Sequence, residues 1–98
     1  MLYAIMAVDA PNSLAARQAA RPEHLQRLET LQEQGRLVLA GPHPASDAPS
    51  HQGFSGSLIV AEFDSLKAAQ IWAASDPYQE AGVYEAVTVK PFLQVFPQ

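Results

Sequence analysis

The sequence Ala74-Ser75-Asp76-Pro77-Tyr78 interrupts a helical pattern, leaves a carboxylate at the interruption and precedes the last strand-like segment of the chain. Proline lacks a backbone N–H and disfavours helical geometry in the residue before it, so the preceding helix must end here. The apolar pattern from Leu66 to Ala74 predicts that helix, which Asp64 or Ser65 can cap. Residues 84–96 alternate loosely and predict a fourth strand and a tail.

Three further strands are predicted from short apolar runs, at residues 2–8, 36–40 and 57–63. A long helix is predicted between the first two strands, capped by Asn12 or Ser13, with Gly35 after its last residue, Gln34. Pro22 lies within this span, so either the helix is kinked there or a second helix begins. Residues 45–53 are polar and rich in turn formers, and we expect a surface loop there.

This order of elements predicts an α+β, ferredoxin-like βαββαβ fold, in which a four-stranded antiparallel sheet carries two helices on one face. We expect one domain that spans residues 1–98. The first and third strands are apolar on both sides, yet the chain supplies no cover for the second face of the sheet. We therefore predict a homodimer in which two open sheet faces meet.

Composition excludes several classes of protein. The net charge is −4, the isoelectric point is about 5.1 and no run of basic residues occurs, so binding to a nucleic acid is not expected. The absence of cysteine rules out disulfides and thiolate chemistry. No segment has the length and apolar character of a membrane span or the pattern of a signal peptide, and we expect a cytoplasmic protein.

His24 and Asp76 are the candidate acid/base pair. At a rise of about 1.5 Å per residue, His24 lies about 18 Å beyond the start of the first helix and Asp76 about 16 Å beyond the start of the second. The two side chains therefore lie at the same level if the first helix continues through Pro22. Asp9, at the end of the first strand, is the alternative partner for His24, and each residue also has an ordinary structural interpretation.

Other candidates surround this pair. Arg17, Arg21 and His24 share one helix face, which indicates either an anion-binding wall or an exposed basic edge. Gly41 and Pro42, at the end of the second strand, and Tyr78 are candidate substrate-binding residues. His43 and His51 show no metal-ligand spacing with His24, and no metal site is predicted.

The motifs together resemble the YciI-like (YCII-related) family over essentially the whole chain. They are Asp9-Ala10-Pro11, the run from Arg17 through Arg21 to His24-Leu25, Leu39-Ala40-Gly41-Pro42, Gly56-Ser57, Asp76-Pro77-Tyr78 and Ala81-Gly82-Val83. The resemblance implies a dimeric α+β barrel similar to muconolactone isomerase, with His24 and Asp76 as the active-site pair and Asp9 at a further recurrent position. One branch of the family is similar to enzymes that remove chloride from a chlorinated hydroxyhydroquinone.

We therefore predict a small cofactor-free enzyme of the lyase, isomerase or dehydrochlorinase type. In this interpretation His24 is the general acid/base, Asp76 orients it, and Arg17 and Arg21 attract a small anionic or aromatic substrate. The alternative is a non-catalytic dimer that binds a small ligand or accompanies another enzyme.

Overall fold

The computed structural model describes residues 1–48, 50 and 52–98, and these residues form four strands and three helices. The strands are β1 (Leu2–Asp9), β2 (Leu37–Pro44), β3 (Phe54–Glu62) and β4 (Tyr84–Phe92). The helices are α1 (Leu14–Glu33), α2 (Leu66–Ala74) and α3 (Pro77–Glu80). The strand order is β2-β3-β1-β4, and all three neighbouring pairs are antiparallel. The predicted fold class is confirmed, with the short α3 added before β4.

The side chains of the central strand β1 alternate between two unlike faces of the sheet. Tyr3, Ile5 and Ala7 are buried on the side that faces the helices. Tyr3 and Ile5 lie opposite the apolar residues Ala61 and Ile59 of β3. Met6 and Val8, on the other side, are 36% and 51% exposed. Apolar surface at Met6 and Val8 is therefore uncovered within one copy of the chain, although Ala4 and Val60 on the same side are buried.

Two apolar clusters hold the helices to the sheet. The larger joins β1 and β3 to α1 and α2 through residues that include Ile5, Ile59, Leu31 and Ala69. The smaller consists of Ala7, Tyr78, Val83 and Tyr84, at the end of the sheet where α3 lies.

Helix α1 runs without interruption through Pro22, so a second helix does not begin there. Its buried residues are Arg17, His24 and Leu31, which are spaced seven residues apart and form one line toward the sheet. Burial of this line offsets the single hydrogen bond that proline removes. Leu25 and Leu28 of the same helix are half-buried.

The ends of the elements follow local chemistry. Ser13 occupies the N-cap position of α1 without a capping hydrogen bond from its side chain, whereas Ser65 caps α2 by accepting from the Ala68 N–H. Gly35 follows α1 with φ of +70°, a conformation that glycine adopts without strain. Strand β2 is longer than predicted and reaches Pro44, whereas β4 ends at Phe92. Two residues of the predicted loop, Pro49 and His51, lie outside the described residues.

Candidate active site

His24 and Asp76 form a buried hydrogen-bonded pair. The Nδ1 atom of His24 lies 2.9 Å from Oδ1 and 3.0 Å from Oδ2 of Asp76. The two residues are only 6% and 2% exposed. An ionised carboxylate can only accept hydrogen bonds, so Nδ1 carries a proton and the lone pair of the neutral ring is on Nε2. The arrangement suits a general base that is held in one tautomer.

Pro77 fixes the position of Asp76. The residue before a proline is driven into extended geometry, and Asp76 has φ of −63° and ψ of 133°. This geometry ends the helical run of α2 and makes Asp76 the N-cap of α3, where Oδ1 accepts a hydrogen bond of 2.8 Å from the Tyr78 N–H. The carboxylate is thus anchored by the backbone as well as by His24.

Tyr78 contacts both His24 and Arg17. Its ring stacks on the imidazole, with centroids 3.9 Å apart and planes inclined by 12°. The guanidinium carbon of Arg17 lies 4.7 Å from the centroid of the same ring. Burial raises the pKa of Tyr78, and the charge of Arg17 opposes this shift. The Tyr78 side chain therefore stays neutral, and its ring packs from α3 against His24 and Arg17 of α1.

The Arg17 guanidinium is hydrogen-bonded within a buried network and does not face solvent. Its Nε and Nη2 atoms donate to the two carboxylate oxygens of Asp9, both at 2.9 Å, and Nη2 also donates to the Gly56 carbonyl and the Ser57 hydroxyl. Burial lowers the pKa of Arg17, but the hydrogen bonds and charge of Asp9 outweigh it and the net shift is upward. Asp9 therefore pairs with Arg17, and not with His24 as the alternative prediction had it.

Ser57 and Tyr84 extend the network away from Arg17. The Tyr84 hydroxyl donates to Ser57 Oγ over 3.0 Å, and both residues are buried. Burial raises the pKa of Tyr84 to about 12. The phenol thus keeps its proton at neutral pH.

A cavity of about 300 Å³ lies between α1 and the strands β2 and β3. Its lining includes six of the predicted site residues and seven others. They are Arg17, Gln18, Arg21, His24, Leu25, Leu28, Ala40, Gly41, Pro42, Phe54, Ser57, Ile59 and Tyr78. Asp76 and Asp9 do not line the cavity and instead hold residues that do. Arg21 is exposed, in contrast to the buried Arg17.

Residues 1–93 match the family model of the YCII-related domain. The chain belongs to the YCII-related family. The family predicted from the sequence motifs is thereby confirmed.

Relatives from two bacteria are similar over their full length. Protein YciI of Escherichia coli O6:H1 is 56% identical over 98 residues, which cover 98% of this chain and all of the relative. An uncharacterized protein of Haemophilus influenzae is 55% identical over the same extent.

A solved structure within the same fold has a known ligand. The 5-chloro-2-hydroxyhydroquinone dehydrochlorinase TftG from Burkholderia phenoliruptrix AC1100, in complex with 2,5-dihydroxybenzoquinone, superposes with a TM-score of 0.84. The two proteins are 26% identical, and the match covers 95% of this chain and 94% of TftG. The ferredoxin-like fold of this family member is thus shared with an enzyme.

Sequence reasoning did not single out Ser57 or Tyr84 as site residues. A signal existed for Ser57, because alternate residues of β3 face the helices and the others in that row, Ile59 and Ala61, are apolar. A hydroxyl in an otherwise apolar buried row indicates a hydrogen-bonded role. Tyr84 carries no such signal, because a tyrosine at the start of a strand is common.

Within residues 1–48, 50 and 52–98, no group of three or more His, Cys, Asp and Glu side chains is placed to hold a metal ion. His43 lies exposed on β2, and His51 is outside this part of the chain. No helix formed by the described residues is both long and apolar enough to cross a membrane.

Proposed function

We propose that this protein is a small cofactor-free enzyme of the lyase or isomerase type that transfers a proton on a planar hydroxylated or quinone-like ring. The observation that carries the proposal is the buried His24–Asp76 hydrogen bond, with His24 on the wall of a cavity that also holds the Arg17 network. Buried charged groups that border a cavity are typical of catalytic sites.

His24 is the general acid/base in this proposal. Asp76 holds the proton on Nδ1 and stabilises the imidazolium that forms when Nε2 accepts a proton from the substrate. Nε2 then returns the proton to another substrate atom or to the leaving group. A positioned acid/base of this kind typically contributes about 10² to 10⁴ in rate.

The two arginines have different tasks. Loss of a proton from a ring hydroxyl leaves negative charge on its oxygen, and Arg17 and Ser57 are the donors on the cavity wall that can stabilise it. Arg17 keeps its charge because its pKa is raised, but it shares that charge with Asp9. Arg21 is exposed and has the geometry to attract an anionic substrate to the cavity.

The similarity to TftG supports a chlorinated or hydroxylated ring as the substrate class. Loss of HCl from 5-chloro-2-hydroxyhydroquinone requires that two ring hydroxyls release protons and that the chlorine-bearing ring carbon accept one proton. The C–Cl bond then breaks with its electron pair, which gives chloride and a hydroxyquinone. Only proton transfer and charge stabilisation are needed from the protein. A cavity of about 300 Å³ is at the small end of ligand sites and accommodates one six-membered ring.

The test is chloride release from 5-chloro-2-hydroxyhydroquinone by the purified protein. We expect turnover by the parent, a loss of about 10² to 10⁴ in His24→Ala, and no change in His43→Ala, whose histidine is exposed on β2. Turnover by His24→Ala at the parent rate would refute the assignment. Tight binding of 2,5-dihydroxybenzoquinone without turnover of this substrate or related ring compounds would favour the alternative function, a ligand-binding or accessory protein.

We also propose that the protein is a homodimer in which the uncovered sheet face meets the same face of a second copy. Met6 and Val8 are exposed there, and the register places Leu58 on the same face as Met6. Glu62 and Lys90 lie on this face as well, opposite Leu2 and Ala4. A two-fold axis through the face can bring these opposite charges together around an apolar centre.

Sedimentation velocity tests the assembly. We expect the parent to sediment as a dimer and Met6→Glu as a monomer, because the substitution places a charge in the apolar centre. Gln26→Glu makes a similar change on the exposed surface of α1 and is expected to remain dimeric. A monomeric parent at micromolar concentration would refute the proposal.

A further inference from the structure

Ser57 Oγ lies where two buried donors and the cavity meet. Arg17 Nη2 donates to it from one direction over 2.9 Å, and the Tyr84 hydroxyl donates to it over 3.0 Å. Ser57 also lines the cavity, whereas Tyr84 does not. The serine is therefore the group through which Tyr84 can influence a bound molecule.

The hydrogen-bonding capacity of a hydroxyl decides where its proton points. A serine hydroxyl accepts two hydrogen bonds and donates one. A guanidinium has no acceptor, so Arg17 must occupy one lone pair of Ser57, and Tyr84 occupies the second as the donor. The one Ser57 proton is then left for a partner in the cavity.

Packing holds the Tyr84 ring and its hydroxyl oxygen in place beside Ser57. Its ring belongs to the smaller apolar cluster and meets the ring of Tyr78 edge to face, with centroids 5.7 Å apart. The phenol is 8% exposed, and the upward shift of its pKa to about 12 keeps the proton on the oxygen. A buried, neutral and immobile phenol is a reliable donor.

We propose that Tyr84 is a positioning residue that occupies the second lone pair of Ser57 and so directs the Ser57 proton into the cavity, toward an anionic oxygen of the substrate. The proposal rests on the proposed function, because the substrate of that reaction supplies the oxygen. A donor that is already aimed at this oxygen needs no reorganisation during the reaction. Without the Tyr84 hydroxyl, the Ser57 hydroxyl is free to rotate.

A double-mutant cycle with 5-chloro-2-hydroxyhydroquinone tests this role. We expect Ser57→Ala to lower kcat by about 10²-fold, as for the loss of one oxyanion donor. Tyr84→Phe should lower kcat by about tenfold with little change in KM, because it removes the orientation and not the donor. The double variant should equal Ser57→Ala, since Tyr84 acts through Ser57. Multiplied losses in the double variant would overturn the proposal.

Tyr3→Phe is the matched control. Tyr3 is also a buried tyrosine, but it belongs to the larger cluster and packs against Phe63, away from the cavity lining. We expect its kcat to equal that of the parent. Unfolding curves of both tyrosine variants show whether a lower kcat reflects lost stability, and a loss in Tyr84→Phe that Tyr3→Phe shares would count against a positioning role.

Neutron diffraction from deuterated crystals tests the geometry without turnover. The expected map has the Tyr84 deuterium on the line to Ser57 Oγ and the Ser57 deuterium directed into the cavity. A Ser57 deuterium that points to Tyr84 would overturn the inference. If the parent does not turn over the chlorinated substrate, the proposed function fails separately. Titration with 2,5-dihydroxybenzoquinone then decides the inference, with binding expected to be about tenfold weaker in Tyr84→Phe.

Discussion

Asp76→Asn separates the charge of the proposed catalytic pair, His24 and Asp76, from its shape. Asparagine is nearly the same size and can still accept the Tyr78 N–H through its side-chain oxygen, but it carries no charge. The Nδ1–Oδ1 distance of 2.9 Å places the two charge centres about 4 Å apart. At an effective dielectric constant of about 20, a carboxylate at that distance stabilises an imidazolium by about 4 kcal/mol.

This energy corresponds to a rate effect of about 10³-fold, since 1.36 kcal/mol is a factor of ten. We therefore expect kcat of Asp76→Asn to fall about 10³-fold, while the free energy of unfolding falls by about 1 kcal/mol or less because the hydrogen bonds are retained. Asp64→Asn, which changes an exposed aspartate before α2, is the control and should match the parent.

Two measurements test the role of the Asp76 charge. Chloride release gives kcat, and the ¹⁵N chemical shifts of the His24 ring report which nitrogen carries the proton. We expect the proton on Nδ1 in the parent, because Asp76 can only accept. A folded Asp76→Asn protein with kcat within about threefold of the parent would show that the buried charge of Asp76 does not stabilise the imidazolium by several kcal/mol.

Three other predictions concern stability, and urea unfolding measures each. Gly56→Ala should lower the free energy of unfolding by about 3 kcal/mol, since the new Cβ would overlap the backbone carbonyl oxygen of Ala7 in β1. Gly41→Ala, with no atom within 4 Å of the new Cβ, should change it by less than about 1 kcal/mol. Asp9→Asn should cost about 3 kcal/mol because it leaves the buried Arg17 charge unpaired, and a cost below about 1 kcal/mol would contradict this. The folded protein holds the Tyr84 proton more tightly than the unfolded chain, so stability is intact below pH 10 and falls as the pH rises through about 12. In Tyr84→Phe, the decrease in the free energy of unfolding at alkaline pH should be smaller by up to about 2 kcal/mol. The same decrease in the variant and the parent would show that Tyr84 does not cause it.

Much of the fold could be predicted because its signals are local. Apolar runs identify the strands, Gly35 and Pro77 mark two helix ends, and the order of elements restricts the topology. The equal level of His24 and Asp76 follows from helix rise if α1 continues through Pro22, and the two side chains are in contact in the structure. The continuity of α1 through Pro22 was not predictable, because tertiary packing decides it.

The partners of the charged residues were less accessible to sequence reasoning. Arg17 and Asp9 are eight residues apart and could each have faced solvent or another group. Their pairing depends on how the end of β1 lies against α1, which no local pattern encodes. The contribution of Ser57 and Tyr84 depends on the pairing register of β3 and β4 with β1, which fixes which side chains share a face.

The sequence separation of the site contacts has a consequence for folding kinetics. Arg17 meets Ser57 across 40 residues of chain, and His24 meets Asp76 across 52. Contacts that close such long loops form late, after most of the chain entropy has been lost. We expect substitutions in this network to accelerate unfolding more than they slow folding, so the lifetime of the folded protein depends on the same buried charges that border its cavity.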